Sequence, residues 1–223
     1  VLANFSMHYF SDTDISADYF GLFSEGFTDA IAAGKAAPKR VVAAMSHGCS
    51  GDIWRRDYTD PDSWNPKLTI EEYASNLVKL AYGAFEKIRY SRPVSIAMQE
   101  TRLPMNYRVP DAQRLEWAQK ILRDMGDRAP KNQLEVYARE QVLLHEMQRT
   151  EVVVQGIRLG EIGIATTPCE TYAVTGLKIK AASPMADTMV IELANGGDGY
   201  IPPPEQHRWG GYNTWPARSA GLQ

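Results

Sequence analysis

Apolar residues recur with two periods along this chain, and segments of the two kinds alternate. Leu2 to Tyr9 predicts a strand with His8 at its C-terminal end, followed by the polar turn Ser11-Asp12-Thr13-Asp14. Ser16 is the expected N-cap of a helix, with Asp18 in its first turn. That helix presents Tyr19, Phe20, Leu22, Phe23, Phe27 and Ile31 and ends near Gly34. Arg40 to Met45 is a β-branched run that predicts a buried strand, stopping at the loop Ser46-His47-Gly48-Cys49-Ser50-Gly51-Asp52.

Asp57 to Lys67, with Pro61 and Pro66, predicts a loop. Thr69 caps a long helix through Tyr90, whose apolar positions include Ile70, Tyr73, Leu77, Leu80 and Ile88. Pro93 to Met98 predicts a strand that extends as far as Leu103. Pro110 at a first helical position opens a helix through Leu122, and Gly126 to Pro130 breaks it. Leu134 to Gln148 is a further helix. Val152-Val153-Val154 and Ile162 to Ala165 are strands joined by a tight hairpin at Arg158 to Glu161. Pro168-Cys169-Glu170 is expected to open a helix through Lys180. The apolar run from Met189 then enters the glycine turn Asn195-Gly196-Gly197-Asp198-Gly199, and Tyr200 and the prolines 202–204 follow. Strands and helices mixed in this way, with one hairpin, predict an α/β or α+β single domain over 1–223: a mixed sheet with helices packed on it.

Composition narrows the function classes. The 223 residues are 44% hydrophobic and 23% charged, as in ordinary folded domains, and the net charge of −3 with no basic cluster argues against a nucleic-acid surface. No apolar run approaches the ~20 residues needed to span a bilayer. Cys49 and Cys169 either form one bridge or stay thiols, so they assign no compartment. The chain opens on Val1-Leu2-Ala3-Asn4-Phe5, without Met or a signal peptide, as though inside a strand. That predicts a fragment or processed chain, with functional residues upstream and the sheet incomplete at its N-terminus.

Four places put a polar side chain just past a strand or at the start of the helix that follows one: His8, His47 with Asp52, Glu170, and Tyr200. Each has a plain structural alternative. A histidine there commonly just hydrogen-bonds, a glutamate at a helix start interacts with the helix dipole, and a tyrosine after a glycine turn packs. Together they supply the nitrogen and oxygen donors that a borderline metal such as zinc accepts. Asp57, Asp60 and Asp62 lack the glycine and glutamate of a calcium loop, and no phosphate loop or Gly-x-Ser-x-Gly elbow occurs.

A resemblance enters through ordered short motifs: Asn4-Phe5-Ser6-Met7-His8, Ile15 to Tyr19, Gly51-Asp52, Pro168-Cys169-Glu170, Ala194-Asn195 to Tyr200, and Tyr212-Asn213-Thr214-Trp215. Their order resembles the catalytic domain of the neutral/alkaline non-lysosomal ceramidases, in particular the bacterial ceramidase-like branch, over nearly the whole chain. The resemblance implies that this chain is the C-terminal part of such a domain, and that the whole is an exported zinc amidohydrolase cleaving the N-acyl bond of ceramide. By motif, it assigns His8, Glu170 and Tyr200 to the metal and leaves a further histidine to an upstream segment, which would complete the site. It also implies a serine nucleophile where this chain has Trp54, in Gly51-Asp52-Ile53-Trp54-Arg55-Arg56. An indole forms no acyl-enzyme. The expectation is therefore a zinc-dependent hydrolase acting on an amide or related bond of a small-molecule or lipid-like substrate. In it zinc-bound hydroxide attacks with His47 or Asp52 as general base, or Ser50 or Cys49 substitutes, and Trp54 and Arg55 contact substrate. The alternative is a domain that keeps the fold and binds without catalysing.

Overall fold

The computed structural model describes residues 1–10, 14–34, 40–63, 67–90 and 94–222. Ser11, Asp12 and Thr13 of the expected turn, Trp64, Pro66 and Pro93 lie outside the described residues. Strand β1 is Leu2–Phe5 and β2 is Ala44–His47; they pair in parallel, with Phe5 opposite His47. Helix α1, Asp18–Ala32, connects them on one side. Tyr19, Phe23, Phe27 and Ile31 are the buried positions of α1; of the other two residues the sequence puts on that face, Phe20 is half-buried and Leu22 exposed. Its N-cap position is Ala17, and no side chain caps it there; the Ser16 hydroxyl instead accepts from the Asp18 N–H. Helix α2, Ile70–Phe85, packs on α1. Thr69 and Glu72 form a reciprocal capping box at its start, as the sequence leads one to expect. The helix stops five residues short of Tyr90, which is exposed.

Strand β3 is Ile96–Asn106 and β4 is Arg149–Leu159, with helices α3, Ala112–Met125, and α4, Gln133–Met147, between them. Pro104 lies inside β3, which its missing N–H permits because β3 is the outer strand of its sheet. Asp111 caps α3, accepting from the Arg114 N–H at 2.8 Å, so Pro110 lies before the helix and not at its first position. Strand β5, Ile162–Thr166, closes the predicted hairpin around Gly160-Glu161, where Gly160 has φ 61°. The short β6, Glu170–Thr171, precedes helix α5, Ala173–Ala182, and β7, Asp187–Ile191, lies parallel to β5. The sheet order β3-β4-β5-β7 is therefore mixed, and the fold is α/β. Finally β8, Tyr200–Ile201, pairs in parallel with β6, and 3₁₀ turns carry the chain to its end.

The largest apolar core lies under α1, α2 and the β1–β2 pair, with Met7, Phe10, Tyr19, Phe23 and Leu77 among its members. A smaller cluster joins Tyr107, Leu144, Val152, Cys169 and Leu222. Glu192 N–H donates to the His47 carbonyl at 3.0 Å, and the Asn4 amide donates to the Val190 carbonyl at 3.1 Å, so the small sheet is tied to β7. Among the described residues no helix is long and apolar enough to cross a membrane. Cys49 and Cys169 are both buried free thiols.

Candidate functional site

Two parallel two-stranded pairs end side by side and build the site. In the second pair Glu170 is the direct partner of Tyr200, so both side chains leave the ribbon on one face. The expected helix start at Glu170 is thus corrected. Glu170 N–H donates to the Gly199 carbonyl at 2.8 Å, and that strand contact holds the residue outside α5, whose N-cap position is Tyr172. Gly51 lies against this ribbon: its N–H donates to the Thr171 carbonyl at 2.9 Å, and a Cβ there would meet the Glu170 carbonyl oxygen at 2.5 Å. Only a glycine lets the loop after β2 approach so closely.

His8 lies three residues past β1 rather than at its end. Its Nδ1–H donates to the Ser50 carbonyl at 2.8 Å, which fixes the ring and turns Nε2 outward. Around Nε2 stand the Tyr200 hydroxyl at 2.9 Å and Glu170 Oε2 at 3.1 Å. The His8 and Tyr200 rings are stacked 6° from parallel. The hydrogen bond to Glu170 raises the His8 pKa against the opposing effect of burial. Burial alone would raise Glu170, but hydrogen bonds from His8 and Tyr200 bring it below its ordinary value. Burial, with Tyr212 and Glu170 as neighbours, pushes the Tyr200 phenol far up.

One imidazole nitrogen, one carboxylate and one phenol oxygen therefore crowd a single point. Ligand atoms about 2.0–2.2 Å from a tetrahedral zinc sit about 3.3–3.6 Å apart. The separations of 2.9 and 3.1 Å fall a few tenths of an ångström short of that spacing, and the Nδ1–H held by Ser50 leaves Nε2, once it gives up its proton, as the ring nitrogen a metal would take. The donor set fits zinc with at least one donor to be supplied from elsewhere. Among the described residues no group of three or more His, Cys, Asp and Glu forms a metal-binding set; this convergence consists of two such residues and a tyrosine.

The other expected residues are placed differently. His47 is the last residue of β2, not a loop residue, and it lies behind Ser50. Its Nε2 meets the Met7 carbonyl at 2.9 Å and Ser50 Oγ at 2.8 Å, and the Phe20 ring closes on it. A nitrogen facing a carbonyl carries the proton, so Nε2 is not free to act as a base. Burial also lowers the His47 pKa. Asp52 accepts from Ala173 N–H at 2.7 Å and thereby caps α5. Trp54 stands edge-on to His8 with ring centres 6.2 Å apart. Arg55 is held behind it, 3.8 Å over the Phe10 ring and donating to the Phe10 carbonyl at 3.0 Å. Cys49 is buried, and burial pushes its thiol up to about 12, so no thiolate forms at neutral pH. Ser50 is fully buried and donates its proton to Glu192 Oε1 at 2.6 Å.

Three residues, Tyr212, Tyr9 and Glu192, were missed as site components. Tyr212 is 56% exposed, and its hydroxyl lies 3.0 Å from that of Tyr200. Together with Tyr9, stacked on His8, and Trp54, it gives the mouth three aromatic walls. Glu192 underlies the site at 2% exposure. Its sequence signal is a lone carboxylate at the end of the apolar run Met189-Val190-Ile191.

The fold is ceramidase-like. A neutral ceramidase from Pseudomonas aeruginosa matches it with a TM-score of 0.64 at 16% identity, over 99% of this chain and 40% of that one. A ceramidase complexed with C2 matches with a TM-score of 0.59 at 14% identity, over 99% of this chain and 42% of the other. At such identities the likeness is one of fold, and this chain spans about two-fifths of either neighbour's length. No protein-family model and no curated protein matches the sequence.

Proposed function

We propose that the protein is a metal-dependent hydrolase of an amide or related bond, in which His8, Glu170 and Tyr200 hold zinc. The observation that carries this is the convergence of the Tyr200 hydroxyl and Glu170 Oε2 on His8 Nε2 at 2.9 and 3.1 Å. The ceramidase fold of the two neighbours supports it. The chain is proposed to be one part of a larger catalytic domain, with a further metal donor from a segment outside it. Zinc bound there supplies a Lewis acid for the scissile carbonyl and for water.

The chain's own residues set the rest. Ser50 orients His8, and Glu170 contributes the charge that balances the cation. Tyr9, Trp54 and Tyr212 wall the mouth with aromatic surface suited to an apolar substrate. Trp54, in the position where the resemblance expects the nucleophilic serine, cannot attack. Cys49 and Ser50 are buried beneath the site, so water is the attacking group in this proposal.

Metal analysis of purified protein that includes the upstream segment, and of its His8→Ala/Glu170→Ala double variant, tests the assignment. Stoichiometric zinc is expected in the first and none in the second, and unchanged zinc in the double variant would overturn it. A panel of N-acyl amides then tests hydrolysis. Zinc-loaded protein inert to all of them would favour a domain that binds without catalysing, which the indole beside His8 would also suit.

A further inference from the structure

Glu192 is more deeply buried than any other carboxylate among the described residues, at 2% exposure against 6% for Glu140. Among the described residues no Lys or Arg pairs with it. The nearest basic group is His47, 3.4 Å away, and burial lowers the pKa of that ring. A carboxylate is costly to bury at this depth, and hydrogen bonds from two buried donors offset that cost. Its two oxygens do different things. Oε1 accepts from Ser50 Oγ at 2.6 Å, and Oε2 accepts from Thr171 N–H at 2.6 Å. Ser50 is the residue whose carbonyl orients His8, and Thr171 directly follows Glu170 in β6. One carboxylate thus links the loop whose carbonyl holds the His8 ring to the strand that carries Glu170.

We propose that Glu192 is a positioning residue: by bridging Ser50 and Thr171 it sets the distance and orientation of His8 relative to Glu170. This rests on the metal reading above, but its geometric part stands without it. The bridge works in either protonation state. A neutral carboxyl accepts from Thr171 and donates to Ser50 Oγ, and burial pushes the Glu192 pKa up to about 7. A glutamine reproduces that neutral form, with its oxygen toward Thr171 and its amide toward Ser50. An aspartate keeps the charge but is one methylene too short to span both.

The test compares wild type, Glu192→Gln and Glu192→Asp, each in protein that includes the upstream segment, by zinc competition titration. The same proteins, metal-free, are compared by the imidazole ¹⁵N shifts of His8. Glu192→Gln is expected to keep the wild-type affinity and His8 spectrum. Glu192→Asp is expected to bind zinc roughly 10-fold or more weakly, the usual effect of losing an outer-shell partner, with a changed His8 tautomer signature. Any other order overturns the proposal: Asp retained and Gln lost would mean that charge matters rather than reach, and equal behaviour would mean no positioning role. If wild type takes up no zinc, the metal reading falls by itself, and the His8 spectra still decide the positioning claim. Should Glu192→Asp fail to fold, Ser50→Ala cuts the same bridge, and an unchanged His8 spectrum in that variant overturns the proposal.

Discussion

The carbonyl of Met7 accepts from two side chains, the Tyr19 hydroxyl at 2.9 Å and His47 Nε2 at 2.9 Å. Tyr19 is buried in the main core and His47 is half-buried under the Phe20 ring, so the backbone just before His8 is held by two largely covered side chains. Elsewhere buried polarity is satisfied by ion pairing. Glu140, 8% exposed at its side chain, accepts from Arg218 Nε at 2.9 Å and Nη2 at 2.9 Å, and from Arg218 N–H at 3.1 Å. Burial raises the Glu140 pKa, but the Arg218 contacts outweigh it and the net shift is downward. A carboxylate whose pKa is lower folded than unfolded stabilises above its unfolded pKa. That stability is lost as pH falls through the folded value. Glu140→Gln is therefore expected to cost about 1–3 kcal/mol at neutral pH, with the difference from wild type shrinking as pH drops below the carboxylate range. Urea denaturation of both proteins at several pH values checks this.

At the scale of elements, backbone proximity makes the site. The loop after β2 touches β6 because Gly51 has no side chain, and the β6–β8 pairing puts Glu170 opposite Tyr200. Gly51→Ala would drive a methyl into the Glu170 carbonyl. Overpacking of this kind costs about 1–3 kcal/mol. The variant should show that loss in thermal or urea denaturation and a weakened zinc affinity as β6 shifts. Wild-type affinity would show that the contact is dispensable. Gly126 and Gly197, where an added Cβ meets nothing within 4 Å, provide controls for the contact itself. Gly126 has φ 61°, so Gly197→Ala is the cleaner of the two.

At the scale of the whole molecule, the apolar core under α1 and α2 carries the small sheet from which His8 emerges. Phe23 is 1% exposed at its centre, and Phe23→Ala is expected to cost about 3–5 kcal/mol, read as a lower urea midpoint at unchanged slope. Much of this architecture was legible in the chain. The buried face of α1, the Thr69 cap, the Gly160 hairpin and the mixed α/β class follow from periodicity and local capping, which act within a few residues. Residues 8, 170 and 200 were also singled out, as polar groups near the ends of apolar runs. Other features were not local. Glu170 reads as a helix start by its Pro-Cys-Glu context, yet pairing with a strand 30 residues away claims its backbone. His47 reads as a loop residue until its parallel register with Phe5 makes it the end of a strand. Nothing near Asp52 in the sequence shows that its carboxylate meets the first N–H of α5, 121 residues on. The sequence by itself determined which segments are helix or strand and which residues offer metal-binding chemistry, because those depend on side-chain type and short-range spacing. Only the tertiary structure decided that His8, Glu170 and Tyr200 meet, that His47 and Asp52 are engaged elsewhere, and that Glu192 lies beneath them. Those outcomes depend on strand register and on a glycine contact between residues more than 100 positions apart.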